Sequence, residues 1–125
     1  GNYMLRGVRG ATTIDTNNAE DIYQRTQEML KTIIAQNGIQ IDDIAAAIFT
    51  VTDDIGAAFP ATAARAMGWN NVPLFDAKQP DCDTGLPLCI RVLVLWNSEI
   101  MQNEIKHIYL HNASKLRPDL AEKTF

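Results

Sequence analysis

Leu5-Arg6-Gly7-Val8-Arg9-Gly10-Ala11-Thr12-Thr13 reads as a strand, and its two glycines mark a backbone that a neighbouring group approaches closely. Asp15-Thr16-Asn17-Asn18 follows with turn and N-cap residues, and Glu20 and Asp21 place acid in a first helical turn. Ile22, Met29, Leu30, Ile33 and Ile34 recur at helical spacing, and Asn37-Gly38 supplies the stop. Ile44 to Val51 is short and apolar, and its Ile-Phe-Thr-Val end favours a buried strand. Thr52-Asp53-Asp54 turns the chain. Pro60 opens a second helix through Ala61, Ala63, Ala64, Arg65 and Met67, closed by Gly68. Val72 to Ala77 reads as a third strand interrupted by Pro73, and Lys78 to Pro87 as a polar loop. Ile90 to Trp96 is the clearest strand, and Ile105 to Leu110 reads as another.

The order is strand, helix, strand, helix, then three strands. It predicts an α+β fold, a mixed sheet with helices packed on one face. The other face needs a cover, and a partner subunit is the economical one. The 125 residues have room for one domain, 1–125, in which 118–125 reads as a mobile charged tail. Eleven Lys and Arg against fifteen Asp and Glu leave a net charge of -4, which argues against a phosphate-backbone binder. No run approaches the roughly 18 apolar residues of a membrane span, and the first residues lack the character of a secretory signal. Two cysteines, Cys82 and Cys89, form no disulfide framework, so a reducing cytoplasm is the expected setting.

Several kinds of chemistry find no footing. No glycine-rich phosphate loop follows a strand. Ser98 and Ser114 lie outside any nucleophile-elbow pattern. His107 and His111 would pair on a helix, but Lys-His-Ile-Tyr-Leu-His reads as a strand and its end, where residues four apart lie roughly 13 Å from each other. Two ordinary histidines are the better reading than a metal pair, and buried packing is the better reading for Cys89. Arginines in apolar or glycine-bounded settings stand out instead. Arg9 lies between Val8 and Gly10; Arg91 shares a strand face with Cys89, Leu93 and Leu95. A guanidinium there needs an anionic partner, because an unpaired buried charge is costly. An internal ion pair or an edge position reaching water would meet that need; so would a small, multiply charged anion, whose carboxylates arginine grips with two prongs. Arg65 and Arg117 read as solvated charges.

The opening Arg6-Gly7-Val8-Arg9-Gly10-Ala11-Thr12-Thr13 closely resembles that of the AroH-class, Bacillus-type chorismate mutases. Ala58-Phe59-Pro60-Ala61 with Arg65, Cys89-Ile90-Arg91-Val92, and His107-Ile108-Tyr109-Leu110 with Leu116-Arg117-Pro118-Asp119-Leu120 agree in order and approximate spacing. The resemblance covers Leu5 to Leu120. It implies a homotrimer whose sheets form a pseudo-α/β barrel, with active sites at subunit interfaces. It also implies the Claisen rearrangement of chorismate to prephenate in phenylalanine and tyrosine synthesis, with neither covalent intermediate nor cofactor. Carried over by position, Arg91 contacts the ether oxygen and a nearby carboxylate, and Arg9 holds a carboxylate and the folded conformer. Tyr109 donates to a carboxylate, Phe59 and Leu116 wall the ring, and Ala61 lies against the substrate. Arg65 and Arg117 serve at the rim or remain surface charge. A YjgF-like trimer, which also binds small carboxylates through arginine, fits the opening motif less well.

One position departs from the family. Gln79 stands where these enzymes carry a glutamate facing the developing positive charge of the ring, and Asp76 stands where better-known members have a cysteine. Asp76 could supply the carboxylate while Gln79 hydrogen-bonds the ring hydroxyl. An offset loop could instead bring Asp81 into the role. Loss of the carboxylate would leave a slow mutase or a repurposed trimer that binds a chorismate-like dicarboxylate. For Asp76, a strand-end charge paired with Lys78 or water is the plain alternative.

Overall fold

The computed structural model describes residues 2–82 and 85–117, so the tail expected at 118–125 lies outside the described residues. The first strand, β1, runs Met4–Thr13, and helix α1 runs Ala19–Asn37. Asn18 caps α1 by accepting the Asp21 N–H, and Gly38 closes it in the left-handed region at φ 62°. Strand β2 (Ile44–Val51), helix α2 (Pro60–Ala66) and strand β3 (Leu74–Lys78) follow. Strand β4 spans Cys89–Ser98 and β5 only Ile108–Tyr109, with a 3-10 turn at His111–Leu116 after it.

The five strands form one mixed sheet in the order β3-β2-β4-β1-β5. β4 is antiparallel to β1 and β2, while β5 runs parallel to β1 and β3 parallel to β2. Both helices cover one face. Val8, Phe49, Ile90, Val92, Val94 and Trp96 point into it against Ile22, Met29, Leu30 and Ile33 of α1. Gly10 faces the same way because α1 presses on it: a Cβ there would sit 2.6 Å from Ile33 Cδ1 and 3.1 Å from Val92 Cγ1. The close approach expected from the glycines is real at this position.

The opposite face, carrying Leu5, Gly7, Arg9, Ile48, Phe75, Arg91, Leu93 and Leu95, is left open, with Leu5 55% and Phe75 65% exposed. Two sequence expectations need correction. The third strand begins at Leu74, not Val72, because Pro73 lacks a donor, although its carbonyl still accepts the Ala47 N–H. The last strand shrinks from Ile105–Leu110 to two residues, because Lys106 and His107 are held by side chains at the edge of the ladder. Among the described residues no helix is long and apolar enough to cross a membrane.

Candidate active site

The open sheet face brings four strands into one row. Register places Tyr109 beside Ala11, Ala11 opposite Arg91, and Arg91 opposite Thr50. The next row sets Arg9 opposite Leu93 and Leu93 opposite Ile48. Arg9 and Arg91 are thus diagonal neighbours, about 7–8 Å apart at the backbone. Small Ala11 and Thr50 flank Arg91 and leave room above it. The result is a cavity of about 210 Å³ lined by Arg9, Ala11, Ile48, Thr50, Arg91, Leu93 and Tyr109. Leu116 packs against Ala11, Tyr109 and Ala113 at its edge.

The charge in this cavity is unbalanced. Among the described residues the ion pairs are Arg25 with Asp15, Lys78 with Asp53 and His111 with Glu28. Neither Arg9 nor Arg91 takes part, so the internal ion pair weighed from sequence is not found. The Arg91 Nε is buried without a hydrogen-bond partner. Arg91 acts instead on Cys89: burial pushes that thiol's pKa up, against the opposing charge and hydrogen bond of Arg91. Two arginines and a tyrosine lining one cavity over an apolar floor, with no carboxylate among the lining residues, give a charge suited to an anion.

The remaining sequence candidates gather elsewhere. Phe59, 66% exposed, precedes Pro60 at the start of α2, and Ala61 in its first turn is buried. Asp76 lies in register with buried Phe49, on the helix-covered side of the sheet, and its Oδ1 accepts the Ala61 N–H at 3.2 Å. It thereby satisfies a donor that α2 could not pair within itself. Burial raises the Asp76 pKa, opposed by the Ala61 hydrogen bond and the Arg65 charge. Lys78, the expected alternative partner of Asp76, pairs with Asp53 at 3.4 Å. Arg65 is exposed and donates to Thr62 Oγ1. Gln79 and Asp81 line a separate cavity of about 280 Å³ with Thr52, Asp53, Asp54 and Cys82, and the Gln79 Oε1 is buried without a partner. Cys89 is a buried free thiol, and Cys82 is exposed. Among the described residues no three His, Cys, Asp or Glu side chains gather as a metal site.

Within one chain, therefore, Arg9, Arg91, Tyr109 and Leu116 come together, Phe59, Ala61, Arg65 and Asp76 form a second group, and Gln79 with Asp81 a third. The histidines are also separated: His107 Nδ1 accepts the Arg9 backbone N–H at 3.0 Å, and His111 Nε2 meets Glu28 Oε1 at 2.7 Å. The contact to Arg9 was not legible in the sequence, because its partners lie 98 residues apart.

Residues 5–120 match the family described as chorismate mutase type I. The chain belongs to that family. A chorismate mutase AroH of Thermus thermophilus is 48% identical over 118 residues, covering 94% of this chain and 97% of the relative. One from Bacillus subtilis (strain 168) is 39% identical over 119 residues, with 94% of each covered. Among solved structures, a chorismate mutase from Clostridium thermocellum superposes with a TM-score of 0.86 at 44% identity, covering 87% of this chain and 97% of that one. In this AroH-class chain, Arg9, Arg91, Tyr109 and Leu116 of the first group and Phe59, Ala61 and Arg65 of the second lie in the motif blocks on which the sequence resemblance rests, while Asp76, Gln79 and Asp81 lie outside them.

Proposed function

We propose that the Arg9, Arg91 and Tyr109 cavity is one half of a chorismate mutase site, completed by Phe59, Ala61 and Asp76 of a second copy of the chain. The activity itself comes with the family: the chain is a chorismate mutase and rearranges chorismate to prephenate. The observation that carries the site assignment is the pair of arginines without a carboxylate on a face that one chain leaves open. A dicarboxylate fits that charge, and a homotrimer would cover the exposed Leu5 and Phe75 of the same face.

The reaction needs no nucleophile and no proton transfer, only a folded substrate and a field suited to its transition state. Arg91 faces the ether oxygen, where negative charge grows as the bond breaks, so a fixed cation stabilises the transition state more than the ground state. Its unpartnered Nε is a donor held ready for that oxygen or the adjacent carboxylate. Arg9 and Tyr109 hold a carboxylate and the chair-like conformer. Phe59 and Leu116 wall the ring, with Arg65 and Arg117 at the rim. Asp76 supplies the carboxylate that faces the developing positive ring, and Gln79 hydrogen-bonds the ring hydroxyl; an Asp81 role is the competing arrangement. The comparisons do not support the non-catalytic dicarboxylate binder.

Incubation with chorismate tests the reading. Ultraviolet absorbance of chorismate should fall well above the uncatalysed rate, and acid treatment should convert the product to phenylpyruvate. Arg91→Ala should remove nearly all turnover. If it turns over like the parent, the assignment of the site to this cavity fails.

A further inference from the structure

The shortest strand carries Tyr109, and its anchoring is unusual. Parallel pairing of Gly10 with Ile108 and Ala11 with Tyr109 continues through the Leu110 N–H, donated to the Ala11 carbonyl at 2.9 Å. Two residues earlier on β1, the same alternation would pair the Arg9 N–H with the Lys106 carbonyl. That carbonyl is occupied elsewhere. The Asn37 side chain, at the end of α1, donates Nδ2 to Lys106 O at 2.9 Å and accepts Lys106 N at Oδ1 at 2.8 Å. The Arg9 N–H turns instead to His107 Nδ1. An imidazole thus replaces a main-chain acceptor beside a residue of the proposed site.

Resting on the proposed site, we propose that His107 is a positioning residue: its neutral ring, accepting the Arg9 N–H at Nδ1, fixes the part of β1 from which Arg9 reaches the substrate carboxylate. Asn37 fixes the segment from which the ring is offered. The hydrogen bond requires the tautomer protonated at Nε2, because an imidazolium has no acceptor at Nδ1. Burial, and then the Arg9 and Arg117 charges, push the His107 pKa below its ordinary 6.5. The groups that meet this ring are Arg9 of β1, Arg117 beyond the last 3-10 turn, and, through Lys106, the uncharged Asn37 of α1. Among the described residues no carboxylate pairs with it, and Glu28 of α1 is engaged by His111. The bond is therefore intact at neutral pH and is lost as pH falls through the lowered pKa.

The test compares the parent with His107→Asn and His107→Leu in chorismate turnover from pH 5 to 8, and follows the ¹⁵N shift of the Arg9 amide. Asn offers Oδ1 on the same branch of the side chain as Nδ1 and does not titrate there. The parent should lose kcat/KM on an acid limb with a midpoint below 6.5, and His107→Asn should keep most of the neutral activity without that limb. His107→Leu should fall about tenfold in kcat/KM at all pH, mainly through KM, as expected for one lost hydrogen bond that orients a binding group. Parental kcat/KM in His107→Leu, or the same acid limb in His107→Asn, would overturn the proposal. If His107→Leu does not fold, the His107→Asn profile still decides. If the parent does not turn over chorismate, the functional reading falls. The positioning bond is then judged by the Arg9 amide alone, which must titrate with the His107 ring in the parent and stay flat in His107→Asn.

Discussion

Asp76 has two roles open to it, and they can be separated at the residue scale. As a helix cap it needs only an acceptor for the Ala61 N–H, which an asparagine Oδ1 also provides. As the acid facing the substrate ring it needs its charge. Because burial is the largest influence on this carboxyl and raises its pKa, the ionised form is disfavoured in the folded state. That cost to stability is absent below the unfolded value of 3.8 and grows as pH rises above it. Asp76→Asn should therefore melt no lower than the parent at pH 7, while kcat/KM falls about 100-fold, the scale of one electrostatic contact in a transition state. Parental turnover in Asp76→Asn would reduce Asp76 to a cap, and activity lost in Asp81→Asn would then move the role to Asp81. Gln79→Glu should be tolerated or raise kcat/KM, since it restores the carboxylate that the family resemblance places at this position.

At the element scale the sheet and α1 are joined through Gly10. A methyl there meets Ile33, Val92 and Met29 at 2.6, 3.1 and 3.3 Å. The Ile33 Cδ1 can swing away, but Val92 and Met29 lie within packed elements. Gly10→Ala should cost about 1–3 kcal/mol in urea denaturation, as overpacking does. It should also lower activity, because Arg9 and Ala11 flank it. Asn18→Ala should cost about 1 kcal/mol through the lost N-cap, with kcat/KM unchanged, since the Asn18 side chain caps the Asp21 N–H and does not line the Arg9 cavity. Most elements were legible in the sequence because their signals are local: Asn18 and Gly38 bound α1, Pro60 opens α2, and apolar runs mark β2 and β4. The sequence pattern extends β5 too far because its flank is held by Asn37 and His107 through contacts 69 and 98 residues distant, and no local pattern encodes those.

On the scale of the whole molecule, the proposed site is divided. Arg91→Ala and Phe59→Ala should each be nearly inactive, one damaging the cavity on the open face and the other the start of α2. Unfolded together in equal amounts and refolded, they should regain about a quarter of the parental activity, because random assortment leaves that share of interfaces with both halves intact. Activity no greater than the sum of the separate variants would show that both groups serve one chain's site. Equilibrium sedimentation should give about three times the chain mass.

The sequence alone determined the order of strands and helices, the strand face that Arg91 shares with Cys89, Leu93 and Leu95, and, through four motif blocks, the family. These follow from the period of a strand, the chemistry of caps, and residue types in fixed order along the chain. Only the tertiary structure decided that neither Arg9 nor Arg91 is neutralised by a described carboxylate, that Asp76 turns toward Ala61 and not Lys78, and that His107 holds the Arg9 backbone. Each of those depends on which side chains from distant segments meet when the sheet closes. A guanidinium, a carboxylate and an imidazole can each satisfy themselves in several ways, and packing selects among them.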